Sequence, residues 1–122
     1  MSGAVKAGVR LTTGLTGLKV NHNPKHTLGV LYGKITRALK KLPQDSAYRK
    51  HTEAIIQQRS AIVTQGATIE EIEQKINCGV IEEIIVQAEN ELQLARNFSN
   101  WKPWEPLVEK PVANQWTWPP TK

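Results

Sequence analysis

The feature that most limits the fold of this chain is the spacing of its apolar residues, which repeats with the period of an α-helix. In the first such stretch they fall within a stripe about 100° wide, formed by Leu28, Leu31, Tyr32, Ile35, Leu39 and Leu42. Asn23 can cap a helix, Pro24 suits the first helical position and Pro43 ends the segment. The stretch therefore predicts an amphipathic helix whose basic residues lie opposite the apolar stripe.

A second helix is predicted to begin at Asp45 or Ser46 and to end at Gly66, where a glycine is typical of a left-handed helix stop. Its apolar face is formed by Tyr48, Thr52, Ile55, Ile56, Ile62 and Val63. Arg59 falls within the same stripe, where an uncompensated charge would be costly. We expect its guanidinium either to extend to water or to pair with a carboxylate of this chain or of a neighbouring subunit.

Two further helices follow with short connections. Thr68 and Glu71 have the spacing of a capping box and open a short helix that is predicted to stop near Gly79. In the last helix Glu82 and Glu83 occupy the first turn, where the helix dipole favours anions. Its apolar stripe consists of Ile81, Ile84, Ile85, Ala88, Leu92 and Ala95.

The composition changes near residue 99, because all four tryptophans and five of the seven prolines follow it. Proline removes backbone donors and fixes φ, so this segment is predicted to be extended. Tryptophan is enriched at interfaces as an anchor. The four indoles, at Trp101, Trp104, Trp116 and Trp118, either fold back over the bundle or insert into pockets of another protein.

These patterns predict an all-α fold, a small bundle of three long amphipathic helices plus one short helix, with mostly antiparallel neighbours. We divide the chain into a basic Gly/Thr-rich N-terminal arm at residues 1–22, the helical bundle at residues 23–98 and an extended Trp/Pro-rich C-terminal tail at residues 99–122. The arm has the composition of a mitochondrial targeting stretch, although a merely disordered basic arm has the same composition.

Charge is distributed unevenly along the chain, whose net charge is +5. Residues 1–60 carry +9, whereas residues 61–100 carry −5. Such a chain suits two surfaces of opposite sign better than one polyanion. The basic face of the first helix is either a solvated face or a docking surface for an acidic partner. It is formed by Lys34, Arg37, Lys40 and Lys41.

Residues with catalytic or metal-binding spacing are not evident. The single cysteine, Cys78, cannot form an intramolecular disulfide, and no base is predicted beside it. His22 and His26 flank a helix start and have no carboxylate nearby. We therefore expect no catalytic residue, metal site or cofactor. The longest aliphatic run, residues 84–86, is far too short for a transmembrane span.

Several segments together resemble one family. They are residues 12–18 (TTGLTGL), 47–50 (AYRK), 81–83 (IEE), 87–96 and 101–107 (WKPWEPL), with Gln115, Trp116, Trp118 and Pro119 near the end. In this order they are similar to the alpha subcomplex subunit 5 family of mitochondrial NADH:ubiquinone oxidoreductase, respiratory complex I. The run WKPWEPL is the most specific part of the resemblance.

The resemblance implies a non-catalytic accessory subunit without a cofactor, peripheral to the mitochondrial inner membrane on its matrix side. It would stabilise the peripheral arm near the quinone module, against the bacterial-C-like core subunit, and so support electron transfer from NADH to ubiquinone. We predict partner contacts at Trp101, Trp104, Trp116, Trp118, Arg37, Lys41 and Arg59.

The alternative is a small basic mitochondrial RNA-binding or ribosome-associated helical protein. Binding to single-stranded nucleic acid favours aromatic residues interleaved with basic ones. Here the tryptophans are separated from most of the bases, so nucleic acid is not the partner we expect.

Overall fold

The computed structural model describes residues 11–66 and 68–119, and all regular structure in these segments is helical. The helices are α1 (Pro24–Lys40), α2 (Ala47–Gln65), α3 (Ile69–Ile76) and α4 (Ile81–Trp101). The predicted bundle of three long helices and one short helix is therefore confirmed. The first ten residues of the basic arm and the last three residues of the tail lie outside the described segments.

Helix α1 is the centre of the bundle, because its contacts with α4 and α2 are the most extensive between any two helices. The backbone N–H of Asn21, just before α1, donates to Glu82 at the start of α4, with N and Oε2 3.1 Å apart. At the other end, Arg37 and Lys41 line a groove together with Ser99. Helices α1 and α4 therefore run parallel to each other. Helix α2, which lies between them in the sequence, runs antiparallel to both.

The apolar stripes predicted for α1 and α4 are buried along their whole length. Their most enclosed side chains include Leu28, Ile35, Leu39, Ile81 and Ile84. Helix α2 contributes less, since only Thr52, Ile56 and Val63 are buried in it. Ile55, predicted to share that face, is 49% exposed. Helix α2 packs mainly against α1 and α3, and so one edge of its predicted stripe stays open.

The helix ends differ in how they are capped. Thr68 Oγ1 accepts a hydrogen bond from Glu71 N at 3.2 Å, which confirms the predicted Thr cap of α3. Asn23 occupies the cap position of α1, but its side chain makes no capping hydrogen bond. The side chain of Asn21 instead accepts from Asn23 N, with Oδ1 at 2.8 Å.

The prediction of a left-handed stop at Gly66 is wrong. Gly66 caps α2 with φ of −66°, an ordinary conformation for any residue. It lies in the core, where an added Cβ would overlap Cγ1 of Ile72 and come within 2.9 Å of its Cδ1. Glycine is therefore needed because Ile72 of α3 packs directly on the backbone.

Helix α4 extends farther than expected. It continues to Trp101, so residues 99–101, which we had assigned to the extended tail, are helical. The helix ends at Lys102, which adopts φ of 54° and donates its N–H to Phe98 O at 2.9 Å. The first proline of the tail, Pro103, follows directly after this residue. No helix is present from residue 102 to residue 119.

Candidate partner-binding surfaces

The four tryptophans differ in how far they are buried. Trp104 is half-buried and packs against the hydrophobic core of the bundle. Trp116 and Trp118 are 89% and 85% exposed. The tail therefore folds back onto the bundle at Trp104, whereas the described part of the bundle does not cover Trp116 or Trp118. Folding back over the bundle, the first of the two alternatives raised for the tail, therefore describes Trp104 but not Trp116 or Trp118.

Trp101 lies at the boundary between helix and tail and is 62% exposed. Its ring contacts Phe98, with the ring centroids 5.9 Å apart. Phe98 in turn packs on Tyr48 of α2, with centroids 4.2 Å apart. This row of aromatic rings supports one side of Trp101 and leaves the rest of its indole open at the end of α4.

A basic groove lies between the carboxyl-terminal halves of α1 and α4. It has a volume of about 470 Å³ and is lined by Lys34, Arg37, Ala38, Lys41, Arg96, Ser99 and Asn100. Arg37 and Lys41 were predicted to contact a partner. The structure brings them together with two cations that the prediction did not include, Lys34 on α1 and Arg96 on α4.

The four cations of the basic groove have no counter-ion in the described part of the chain. None of them takes part in an ion pair or a side-chain hydrogen bond there. Like charges held at one site raise the local potential and repel one another. The groove is therefore a fixed positive surface that an anionic group would stabilise.

Arg59 lies apart from the basic groove, in a second groove of about 410 Å³ between α2 and α4. Its Nη1 donates to Gln87 Oε1 at 3.2 Å, and its Nη2 approaches Cys78 Sγ at 3.3 Å. Neither partner is a carboxylate. The carboxylate considered from the sequence is thus replaced, within residues 11–66 and 68–119, by an amide and a sulfur.

Tyr32 contributes to the floor of this second groove and is 2% exposed. Its hydroxyl makes no hydrogen bond of normal geometry within the described segments. Burial raises the pKa of Tyr32, and the charge of Arg59 opposes that rise. The phenol therefore stays protonated and serves as packing surface between α2 and α4.

Tyr48 joins α2 to α4 through its hydroxyl, which donates to Glu91 Oε1. Burial is the largest cause of the raised pKa of Tyr48, and the carboxylate of Glu91 adds to it by favouring the protonated phenol. This contact is a structural brace beside the aromatic row that supports Trp101.

Two residues important for these surfaces, Arg96 and Glu82, were missed from the sequence, whereas Lys34 was placed on the basic face of α1 but not among the predicted partner contacts. Lys34 and Arg96 belong to the basic groove, and Glu82 is a buried carboxylate that fixes the arm at Asn21. Glu82 was interpreted only as a helix start. For Arg96 a signal was available, since it lies four residues after Leu92 and therefore at the edge of the apolar stripe of α4.

No group of three or more histidine, cysteine, aspartate or glutamate side chains suited to a metal ion occurs in the described segments. Among the same residues, no helix is both long enough and apolar enough to cross a membrane.

Comparison with known proteins identifies relatives of this chain. A family described as the conserved region of an electron-transport-chain (ETC) complex I subunit matches residues 17–83. A probable NADH dehydrogenase [ubiquinone] 1 alpha subcomplex subunit 5 from Caenorhabditis elegans is 52% identical over 108 residues, covering 88% of this chain and 72% of the relative. The subunit 5 of Bos taurus is 48% identical over 111 residues, covering 91% of this chain and 96% of the relative.

A more distant relative is similar over a shorter region. The probable mitochondrial subunit 5 of Arabidopsis thaliana is 37% identical over 98 residues, which cover 80% of this chain and 58% of that protein.

Proposed function

The chain belongs to the alpha subcomplex subunit 5 family of complex I, a family of non-catalytic accessory subunits, and we propose that it stabilises the peripheral arm of that complex. Membership in the family also makes it a mitochondrial protein. The finer parts of the proposal are that it lies on the matrix side of the inner membrane, beside the quinone module and against the bacterial-C-like core subunit. There it would support electron transfer from NADH to ubiquinone through structure alone.

The observation that carries this proposal is the exposure of Trp116 and Trp118 in a chain of this family. A tryptophan buries roughly 150–250 Å² when it is fully enclosed. At about 25 cal/mol per Å², each indole would contribute on the order of 4–6 kcal/mol of gross burial energy on docking. Part of this would be offset by the cost of ordering the tail.

The basic groove and Arg59 would add specificity to the anchoring by the tryptophans. Arg37 and Lys41 are open to a partner in the basic groove, whereas Arg59 already binds within the bundle. Charged contacts of this kind orient a docking partner more than they raise its affinity. We therefore assign the main anchoring role to the distal tryptophans and a steering role to the basic residues.

The test compares tagged full-length chains in cells that lack the endogenous subunit. The Trp116→Ala, Trp118→Ala double variant should fold normally, because both indoles are exposed, but should enter complex I less efficiently. The measurements are native-gel co-migration with NADH dehydrogenase activity and NADH:quinone turnover. A matched control is Val30→Ala, since Val30 is also an exposed apolar residue but lies on α1, outside the tail.

Normal assembly and normal NADH:quinone turnover in the double variant would contradict the anchoring role. Trp104→Ala is a less useful variant, because Trp104 packs on the core and its loss would also weaken the fold. The RNA-binding alternative makes a separate prediction, a filter-binding affinity that falls steeply with added salt. Such binding, without co-migration with complex I, would replace the proposal.

A further inference from the structure

The basic groove differs from an ordinary solvated helix face in the arrangement of its charges. Lys34, Arg37 and Lys41 follow one another at spacings of three and four residues, so they line one side of α1. At 1.5 Å per residue, the row extends about 10 Å along the helix. Arg96 of α4 faces it across the groove.

The far end of the groove adds neutral hydrogen-bonding groups. Ser99 and Asn100 line it there, and their hydroxyl and amide can donate to an oxygen acceptor. No aspartate or glutamate is among the lining residues. Every polar side chain at this site is therefore able to donate to an anion.

We propose that this groove receives an acidic segment of a neighbouring protein subunit, with at least two carboxylates about 10 Å apart along it. A helix with glutamate or aspartate at successive i, i+3 and i+7 positions has this spacing. The inference rests on the proposed function, since it names the chemistry of the partner that an accessory subunit would meet at this surface.

The shape of the site favours a protein segment over an anionic membrane surface. Lipid headgroups are attracted to clusters of basic side chains at the membrane surface. Here the cations lie on two facing walls of a groove of about 470 Å³, which a side chain or helix edge can enter.

The first experiment uses the assembled complex that contains the full chain. A carbodiimide couples a lysine amine to a carboxylate only when the two groups are in contact. Cross-links from Lys34 or Lys41 to aspartate or glutamate of another subunit, mapped by mass spectrometry, are the expected result. The Lys34→Arg, Lys41→Arg variant retains the charge but lacks the amines, so complex I that contains it should lose these cross-links.

The second experiment measures binding by the purified full chain. The probe is a labelled helical peptide with three glutamates on one face, compared with a peptide of the same composition whose glutamates are spread around the helix. We expect the first peptide to bind more tightly. Arg37→Glu, Lys41→Glu should weaken its binding by about tenfold or more, because two attractions become repulsions.

The matched control is Lys40→Glu, Lys50→Glu, which changes the net charge by the same amount. Both control lysines are exposed and lie outside the groove. Binding of the peptide with its glutamates on one face should therefore fall by much less. Circular dichroism of both variants verifies that they fold. If the groove variant fails to fold, Arg37→Gln, Lys41→Gln provides the same comparison against Lys40→Gln, Lys50→Gln.

Three results would overturn the inference. The first is equal binding of the two peptides, and the second is equal weakening of binding by Arg37→Glu, Lys41→Glu and by the control variant. The third is binding that depends on the groove to vesicles of phosphatidylcholine with phosphatidylglycerol but not to the peptide with its glutamates on one face, which would assign the site to phosphate. The two proposals can fail separately. If Arg37→Glu, Lys41→Glu co-migrates normally with complex I and the two peptides bind equally, the groove is not the docking site, while the proposed function stands. If the unmodified chain does not co-migrate with complex I, the proposed function is rejected, and the comparison of the two peptides still tests whether the groove binds an acidic segment.

Discussion

Replacing Gly66 with alanine is the most direct test of how α2 is joined to α3. At φ of −66° an alanine fits the backbone of Gly66 without strain. The cost of the substitution comes from space, because the new Cβ would overlap Ile72, a residue with no exposed surface. The carbonyl oxygen of Ile62 lies 3.1 Å from the same position, so the methyl group has little room to shift.

The expected size of the effect is the difference between two terms. Overpacking a core by one methyl group costs about 1–3 kcal/mol. Replacing glycine by alanine at a compatible backbone position contributes about 0.4–1 kcal/mol of stability by restricting the unfolded chain. We therefore expect Gly66→Ala to lower the free energy of unfolding by roughly 1 kcal/mol, and by no more than about 2.6 kcal/mol. The matched control is Gly29→Ala, where no atom lies within 4 Å and alanine should stabilise α1.

The measurement is urea unfolding of the full chain, followed by circular dichroism at 222 nm. Ile72→Ala alone should cost about 2–5 kcal/mol. In that background Gly66→Ala should no longer destabilise, because the overlapping carbons are gone. Independent effects of the two substitutions would refute the steric explanation. Tolerance of Gly66→Asn would also refute it, since asparagine fits a left-handed stop but not this space.

Two further predictions concern helix capping and pH. Thr68→Ala should destabilise by about 1 kcal/mol in urea unfolding, whereas Asn23→Ala should cost much less, because only the Thr68 side chain makes a capping hydrogen bond; equal losses would contradict this. For Tyr48, the folded state holds the phenolic proton more tightly than the unfolded state, whose pKa is near the ordinary value of 10.0. The contribution of Tyr48 to stability should therefore be constant below about pH 9 and fall as the pH rises through 10, where only the unfolded chain releases the proton. The urea midpoint of Tyr48→Phe should fall less with rising pH over this range than that of the unmodified chain. An equal fall in both proteins would contradict the contact assigned to Tyr48.

The sequence was sufficient for the parts of the fold that depend on local periodicity. The apolar residues of α1 and α4 recur at helical spacing, and every member of both predicted stripes is buried. The Thr68 cap was predictable for the same reason, since it involves residues only three positions apart. Such features depend on neighbours in the chain, which a sequence displays directly.

Other features depend on which elements meet in space. Ile55 was predicted to be in the core, but the edge of α2 that carries it is left open. Arg59 was expected to reach water or a carboxylate and instead meets Gln87 and Cys78, which lie 28 and 19 residues away in the chain. No local pattern in α2 identifies these partners.

The amino-acid sequence by itself determined four helices, the buried faces of α1 and α4 and the concentration of tryptophan after residue 100, because periodicity and composition act within short stretches of chain. Only the tertiary structure decided that α1 and α4 run side by side in the same direction, and hence that Arg96 joins three cations of α1 in one groove. It also decided that Trp104 is covered while Trp116 and Trp118 are not. The physical reason is that burial and electrostatic potential are sums over neighbours in space, and these neighbours come from distant positions in the chain.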